Sequence, residues 1–152
     1  WMMGIYSGLR ISDILKLKVR DVKNRQYITL REMKTGKQRN FEINPILKKA
    51  LAEYCEDKDP NNYLIKSRQS FNKPITRSMA YKILRDAARK FNIESMGTHT
   101  MRKTFGYHFY LQTRDVVTLM KIFNHDDQST TLRYIGIEQQ AINEAIKKFK
   151  IF

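Results

Sequence analysis

Apolar residues recur along the chain at two different intervals. In ISDILKLKV, Ile11, Ile14, Leu15 and Leu17 fall at helical spacing, with Ser12 available as an N-cap. From Tyr27 the interval changes: Tyr27, Thr29 and Arg31 alternate with Ile28 and Leu30, KTGK interrupts, and RNFEI resumes. That pattern predicts a hairpin, with Gly36 supplying the positive φ of its turn. Pro45 opens a helix to about Glu56, with Leu47, Leu51, Tyr54 and Cys55 in an apolar pattern. A DKDPNN loop, a short apolar YLI and a polar SRQSFNKPIT loop lead to a helix capped by Thr76 or Ser78. Its predicted core stripe is Met79, Ile83, Ala87 and Phe91, and its other face carries Lys82, Arg85 and Arg89. Further helices are predicted from about Thr100, through DVVTLMKIF with Asp115 near its start, and through QSTTLRYI. In the last, EQQAINEAIKKF, the residues Ala141, Ile142, Ala145, Ile146 and Phe149 share one stripe. The elements add up to a helical domain with one small sheet.

Size and charge narrow the class. At 152 residues, 41% of them apolar, the chain is long enough for one domain with a real core. Its formal charge is +14 and its pI about 10.0, and a folded domain that basic repels itself unless it serves a polyanion. Nucleic acid is the leading partner, and a membrane surface the weaker alternative. No run of about 18 apolar residues exists to span a bilayer. The single cysteine, Cys55, excludes an internal disulfide, suits a reducing compartment, and is read as core packing. The opening WMMGIY starts in mid-pattern, so the chain is expected to be a fragment of a longer protein.

The candidate chemistry sits on polar faces. On a helix through HTMRKTFGYHFY, His99, Arg102, Lys103 and Gly106 project to one side, and Met101, Phe105, His108 and Phe109 form a core stripe on the other. A histidine and an arginine near a helix N-terminus favour an anion, and the guanidinium fork can hold two phosphate oxygens. Gly106 would let a backbone or ligand approach closely. Arg10 precedes a short helix with Asp13 three residues on, Lys34 stands beside the hairpin turn, and His125 and Tyr134 are nine residues apart. Singly, each has an ordinary structural explanation: a bracing Arg–Asp pair, a solvated lysine, a packed tyrosine.

In order, these segments form a pattern. Gly-Leu-Arg-Ile-Ser-Asp is followed by the hairpin lysine, His-Thr-Met-Arg, Asn-His-Asp-Asp and Ser-Thr-Thr-Leu-Arg-Tyr-Ile-Gly. This resembles the catalytic domain of the tyrosine recombinases, the phage-integrase family, from YSGLRISDILKL to the helix after Tyr134. The resemblance implies an α+β, mainly helical catalytic domain over residues 1–152, with a small antiparallel hairpin or three-stranded sheet. A preceding DNA-binding domain and the first catalytic-domain helix are expected to be missing. It implies site-specific DNA recombination, integration or excision, by strand cleavage and rejoining through a covalent 3′-phosphotyrosine. Arg10 and Arg102 match the arginines that clamp the scissile phosphate, and Lys34 the general acid for the 5′-oxygen. His99 matches a base or hydrogen-bond partner, His125 a phosphate-binding group that is tryptophan in some members, and Tyr134 the nucleophile. Asp13 occupies an acidic position expected to be structural. Where the family commonly has Leu-Gly-His, this chain has Phe123, Asn124 and His125, and asparagine tolerates the positive φ such a turn needs.

The chemistry wants these groups. Two guanidinium groups neutralise a phosphodiester and stabilise its pentacoordinate transition state. A proton donor in line with the leaving alkoxide contributes about 10²–10⁴-fold. A phosphotyrosine stores the bond energy, so rejoining needs no cofactor. No carboxylate cluster with metal-ligand spacing accompanies the set, and cleavage without metal is expected. Lys37, Arg39, Lys73 and Arg77 lie in or beside loops near the proposed site and are read as contacts to duplex DNA. The full-length protein is expected to act as a homotetramer on DNA, with the helix at about 138–149 docking in trans, and to come from a bacterial phage or mobile element. Two other readings remain open: a metal-free ribonuclease using His99, His125 and Lys34, and a basic DNA-binding module without activity.

Overall fold

The computed structural model describes residues 1–31, 36, 38–94 and 96–150, with Ala145 given by its backbone. The chain divides into two compact units, Trp1–Arg102 and Lys103–Phe152. The first holds α1 (Met2–Ser7), α2 (Ile11–Ile14), a 3₁₀ turn at Val19–Asp21, β1 (Tyr27–Arg31), β2 (Gln38–Glu42), α3 (Pro45–Cys55) and α4 (Arg77–Lys90). Helix α5 (Thr100–Thr113) begins in this unit and continues in the second, which adds α6 (Val116–Phe123), α7 (Gln128–Ile135) and α8 (Ile137–Lys148).

In the first unit, β1 and β2 pair antiparallel from Tyr27 opposite Glu42 to Arg31 opposite Gln38. Alternation puts Ile28 in the core and leaves Tyr27, Thr29 and Arg31 exposed, as the period-2 pattern requires. Gly36 has φ +68°, the conformation expected of it. Among the described residues the sheet has two strands. The YLI segment joins through a bridge between Lys18 and Tyr63 and a 2.8 Å bond from the Leu64 N–H to the Leu17 carbonyl, rather than as a third strand. Asn44 caps α3 by accepting from the Ile46 N–H at 2.9 Å, and Pro45 starts the helix. Leu47, Leu51 and Cys55 then face a core that includes Ile14, Leu17, Val19 and Ile28.

Two local expectations are corrected. Ser12 lies inside α2, and the extended Arg10 takes the N-cap position without a side-chain cap bond. On α4, Thr76 does cap the helix by accepting from the Met79 N–H. The buried stripe, however, is Ala80, Leu84 and Ala88, one residue later than predicted. Met79, Ile83 and Phe91 are 37%, 50% and 77% exposed, and Ala87 is half-buried. Two apolar stripes one residue apart run along this helix. The one with small alanines flanking Leu84 packs against Ile11, Leu15 and Met101 because it permits closer approach.

The second unit is built around Leu119, Phe123 and Ile135, with Phe105, Phe109, Tyr110 and Leu132 packed against them. Asp115 starts α6 by accepting from the Thr118 N–H at 2.9 Å. His108 is exposed rather than part of the core stripe. Gly106 faces the core and not a ligand. A Cβ there would lie 2.7 Å from Phe123 ring carbons and from Ile135 Cγ2, so the glycine exists for close packing.

Candidate active site

Two candidate site residues of the first unit, Arg10 and Arg102, are tied to the turn after α1. Gly8, at φ 63°, ends α1 in the left-handed conformation, and the Ser7 hydroxyl donates back to the Met3 carbonyl and accepts from the Leu9 N–H at 3.2 Å. The turn delivers Arg10, half-buried and extended, to the start of α2. Arg102, 94 residues further on, donates from Nη1 to the Gly8 carbonyl. Its guanidinium-bearing residue is only 5% exposed. A charged group is that buried only when hydrogen-bonded or paired, so this bond fixes the Arg102 side chain against the turn that carries Arg10. Gly4 makes the approach possible: a Cβ at this position would stand 2.7 Å from Met101 Cβ. Sequence reasoning passed over Gly4, although a glycine inside an apolar helical stretch is a signal of close packing.

His99 lies on the turn before α5 and is exposed. The turn is held by Thr100, whose N–H donates to the Gly97 carbonyl at 3.1 Å and whose hydroxyl accepts from the Gly97 N–H at 2.9 Å. Lys34 and Lys37 lie outside the described residues. Arg39 is half-buried with its guanidinium carbon 5.0 Å from the centre of the Phe41 ring, a cation–π arrangement. Lys73 and Arg77 are both exposed; the Lys73 carbonyl accepts from the Ser67 N–H at 2.7 Å, and Arg77 is the first residue of α4.

In the second unit, α6 ends at Asn124 with φ 53° and ψ 53°, so the substitution of asparagine for glycine preserves the turn. The His125 N–H donates to the Met120 carbonyl at 3.0 Å, closing the cap. Asp127 then starts α7: its carboxylate accepts from the Thr130 N–H and from the Ser129 and Thr130 hydroxyls, each at 2.7 Å. Those bonds, the Thr130 hydroxyl foremost, hold its carboxyl well below the usual carboxylate range. Between the two caps, three rings meet edge to face. Phe123 lies 5.5 Å from His125 and 5.4 Å from Tyr134, and the histidine and tyrosine rings are themselves 5.4 Å apart at 79°.

The structure adds two residues to this group. Lys103 Nζ stands 5.5 Å from the centre of the Tyr134 ring, setting positive charge against the phenol. Its place on the polar face of α5 could have drawn attention to it. Thr131, wholly buried, has its hydroxyl 3.0 Å from His125 Nδ1. Among the described residues no cluster of three or more His, Cys, Asp or Glu side chains could hold a metal ion. No helix of the described residues is long and apolar enough to cross a membrane.

The arrangement anchors the Arg102 guanidinium on the turn that leads to Arg10, and separately sets an imidazole against a phenol beside a cation. The sequence pattern of the phage integrase family matches residues 2–141. The probable integrase/recombinase YoeC of Bacillus subtilis is 48% identical over 149 residues, which span 98% of this chain and 82% of the relative. A probable integrase/recombinase of Acholeplasma phage L2 is 32% identical over 149 residues, 94% of this chain and 50% of that protein. Among solved structures, a crystal structure of XerA recombinase superimposes with a TM-score of 0.77 at 25% identity, over 97% of this chain and 54% of that one. The XerH site-specific recombinase, bound to a palindromic difH substrate after cleavage, shares the fold with a TM-score of 0.74 at 18% identity, over 97% of this chain and 43% of that one. The chain thus spans most of the Bacillus relative and about half of the others.

Proposed function

The chain belongs to the phage integrase family, and from that premise we propose that it is the catalytic part of a site-specific DNA recombinase. It cuts and rejoins double-stranded DNA through a covalent 3′-phosphotyrosine at Tyr134. The observation that carries the reading is the anchoring of buried Arg102 on the turn that leads to Arg10. Two guanidinium groups on adjoining segments suit a single tetrahedral anion, since each can present a fork to two of its oxygens.

In the reaction so read, Arg10 and Arg102 neutralise the non-bridging oxygens of the scissile phosphate and stabilise its transition state. The Tyr134 oxygen attacks phosphorus as its proton leaves toward His99, and the P–O5′ bond breaks. Lys34 supplies the proton that the departing 5′-oxygen takes up. His125 hydrogen-bonds a phosphate oxygen throughout. In the second half, a 5′-hydroxyl attacks the phosphotyrosine, the proton moves run in reverse, and the phenol is restored. Lys37, Arg39, Lys73 and Arg77 bind the DNA backbone. The cytoplasm of a bacterial cell is where such a substrate is met.

Assembly belongs to the same reading. Ile142, Ile146 and Phe149 of the last helical segment are 47%, 67% and 72% exposed, which suits docking on a neighbouring protomer in a DNA-bound homotetramer. Removing the residues after 138 from the full-length protein then abolishes tetramer formation on DNA; unchanged assembly would refute the docking.

The test of the activity is a nicked suicide duplex incubated with the full-length protein without metal. A covalent protein–DNA adduct forms, and Tyr134→Phe abolishes it. Cleavage of RNA alone, indifferent to that substitution, would favour a ribonuclease, and binding without any cleavage an inert DNA-binding module.

A further inference from the structure

Thr131 is the most deeply buried polar residue of the second unit, at 0% exposure, and its hydroxyl has two neighbours. His125 Nδ1 is 3.0 Å away and the Asp127 carbonyl 3.3 Å. A hydroxyl has one proton to give and lone pairs to accept with, so only two neutral arrangements exist. In one, Thr131 donates to the Asp127 carbonyl and accepts from a protonated Nδ1, leaving Nε2 as a bare acceptor. In the other, Thr131 donates to Nδ1, and the ring carries its hydrogen on Nε2.

We propose that Thr131 is a positioning residue that donates to Nδ1 and so holds neutral His125 in the Nε2–H tautomer, ready to donate to an anionic oxygen. Three observations support this assignment. The Nδ1 contact is the shorter of the two. The Asp127 carbonyl belongs to the N-cap residue of α7, and an N-cap carbonyl already accepts the first amide of its helix, so it does not depend on the hydroxyl. The β-branched threonine inside α7 has few rotamers, and burial removes freedom to swing the hydroxyl away. Phe123 and Tyr134 pack edge to face on the imidazole and hold its plane. The chemistry then follows. Phosphate oxygens are acceptors only, so a bare Nε2 would repel them, whereas Nε2–H bonds them without a proton having to be taken from solvent first. This rests on the reading of His125 as a phosphate-binding group.

The test is a long-range ¹H–¹⁵N correlation spectrum of the histidines in the folded full chain at about pH 8, where a histidine of ordinary pKa, about 6.5, is neutral. His125 shows a pyridine-type Nδ1 and a pyrrole-type Nε2 in the unsubstituted protein. Thr131→Val, which keeps the buried shape and removes the hydroxyl, mixes the tautomers, and Thr131→Ser restores the original pattern. The rate of adduct formation on suicide DNA falls about tenfold in Thr131→Val and recovers in Thr131→Ser, as for other groups that orient a functional histidine. A protonated Nδ1 in the unsubstituted protein overturns the proposal whether or not any variant folds, and so does a tautomer that Thr131→Val leaves unchanged. Failure of the unsubstituted protein to form an adduct would instead count against the recombinase reading, since the tautomer is measured without DNA.

Discussion

Asn124 shows how one residue can stand in for another at a turn. Its φ of 53° is open to glycine and to asparagine, and costs a β-branched residue about 1–2 kcal/mol or more. Asn124→Gly therefore leaves the unfolding free energy from urea titration nearly unchanged, and Asn124→Val lowers it by that amount. Gly106 is the opposite case. A methyl group there collides with Phe123 and Ile135 at 2.7 Å. Gly106→Ala loses about 1–3 kcal/mol in the same assay, more than the roughly 1 kcal/mol that alanine gains in helix propensity. The left-handed turn at Asn124 was legible in the sequence because the residue type itself carries the preference. The role of Gly106 was not, since a helical glycine reads equally as room for a ligand or for a neighbouring helix. Thr131 was hidden for a related reason: it meets His125 only once the turn at Asn124 and the cap at Asp127 have folded the chain back.

At the scale of elements, α4 separates what periodicity can and cannot say. The sequence specified a helix, a cap at Thr76 or Ser78 and a basic face, because these are local, and the structure selects Thr76. It offered two apolar stripes in register with the helix, and the choice depended on which one Ile11, Leu15 and Met101 accept. Leu84→Ala accordingly costs about 2–5 kcal/mol, whereas Ile83→Ala, at a half-exposed position, costs about 1 kcal/mol or less; thermal unfolding distinguishes them. Helix α7 carries its own pH dependence. The Asp127 carboxyl is held below its unfolded value by the bonds it accepts. Its contribution is therefore complete above about pH 4, the ordinary aspartate value, and is lost as pH falls toward the lower folded one. Melting curves between pH 6 and pH 2 show a steeper acid loss in the unsubstituted protein than in Asp127→Asn, which keeps an acceptor but no titrating group.

For the whole molecule, charge is the dominant statement. With 29 Lys and Arg against 15 Asp and Glu, DNA affinity falls steeply with salt if phosphates are the partners. Replacing Lys73 and Arg77 together by glutamine reduces the slope of log K against log salt by about 2 if both contact the backbone, and leaves it unchanged if both are merely solvated. The family was legible because its signature residues stand in short segments whose order survives in the sequence. The anchoring of Arg102 was not, because it joins positions 94 residues apart and depends on a carbonyl, which no side-chain pattern records.

Cys55 offers a practical opening. It is the chain's single cysteine, it is fully buried against the first core, and burial pushes its thiol pKa up. Reagents that need a thiolate at the surface therefore find little to attack in the native fold. A dye carried by Gln128→Cys, at the exposed first residue of α7, would occupy one address without Cys55 having to be removed. The helix that bears Tyr134 could then be followed by fluorescence, one molecule at a time, as DNA arrives and leaves.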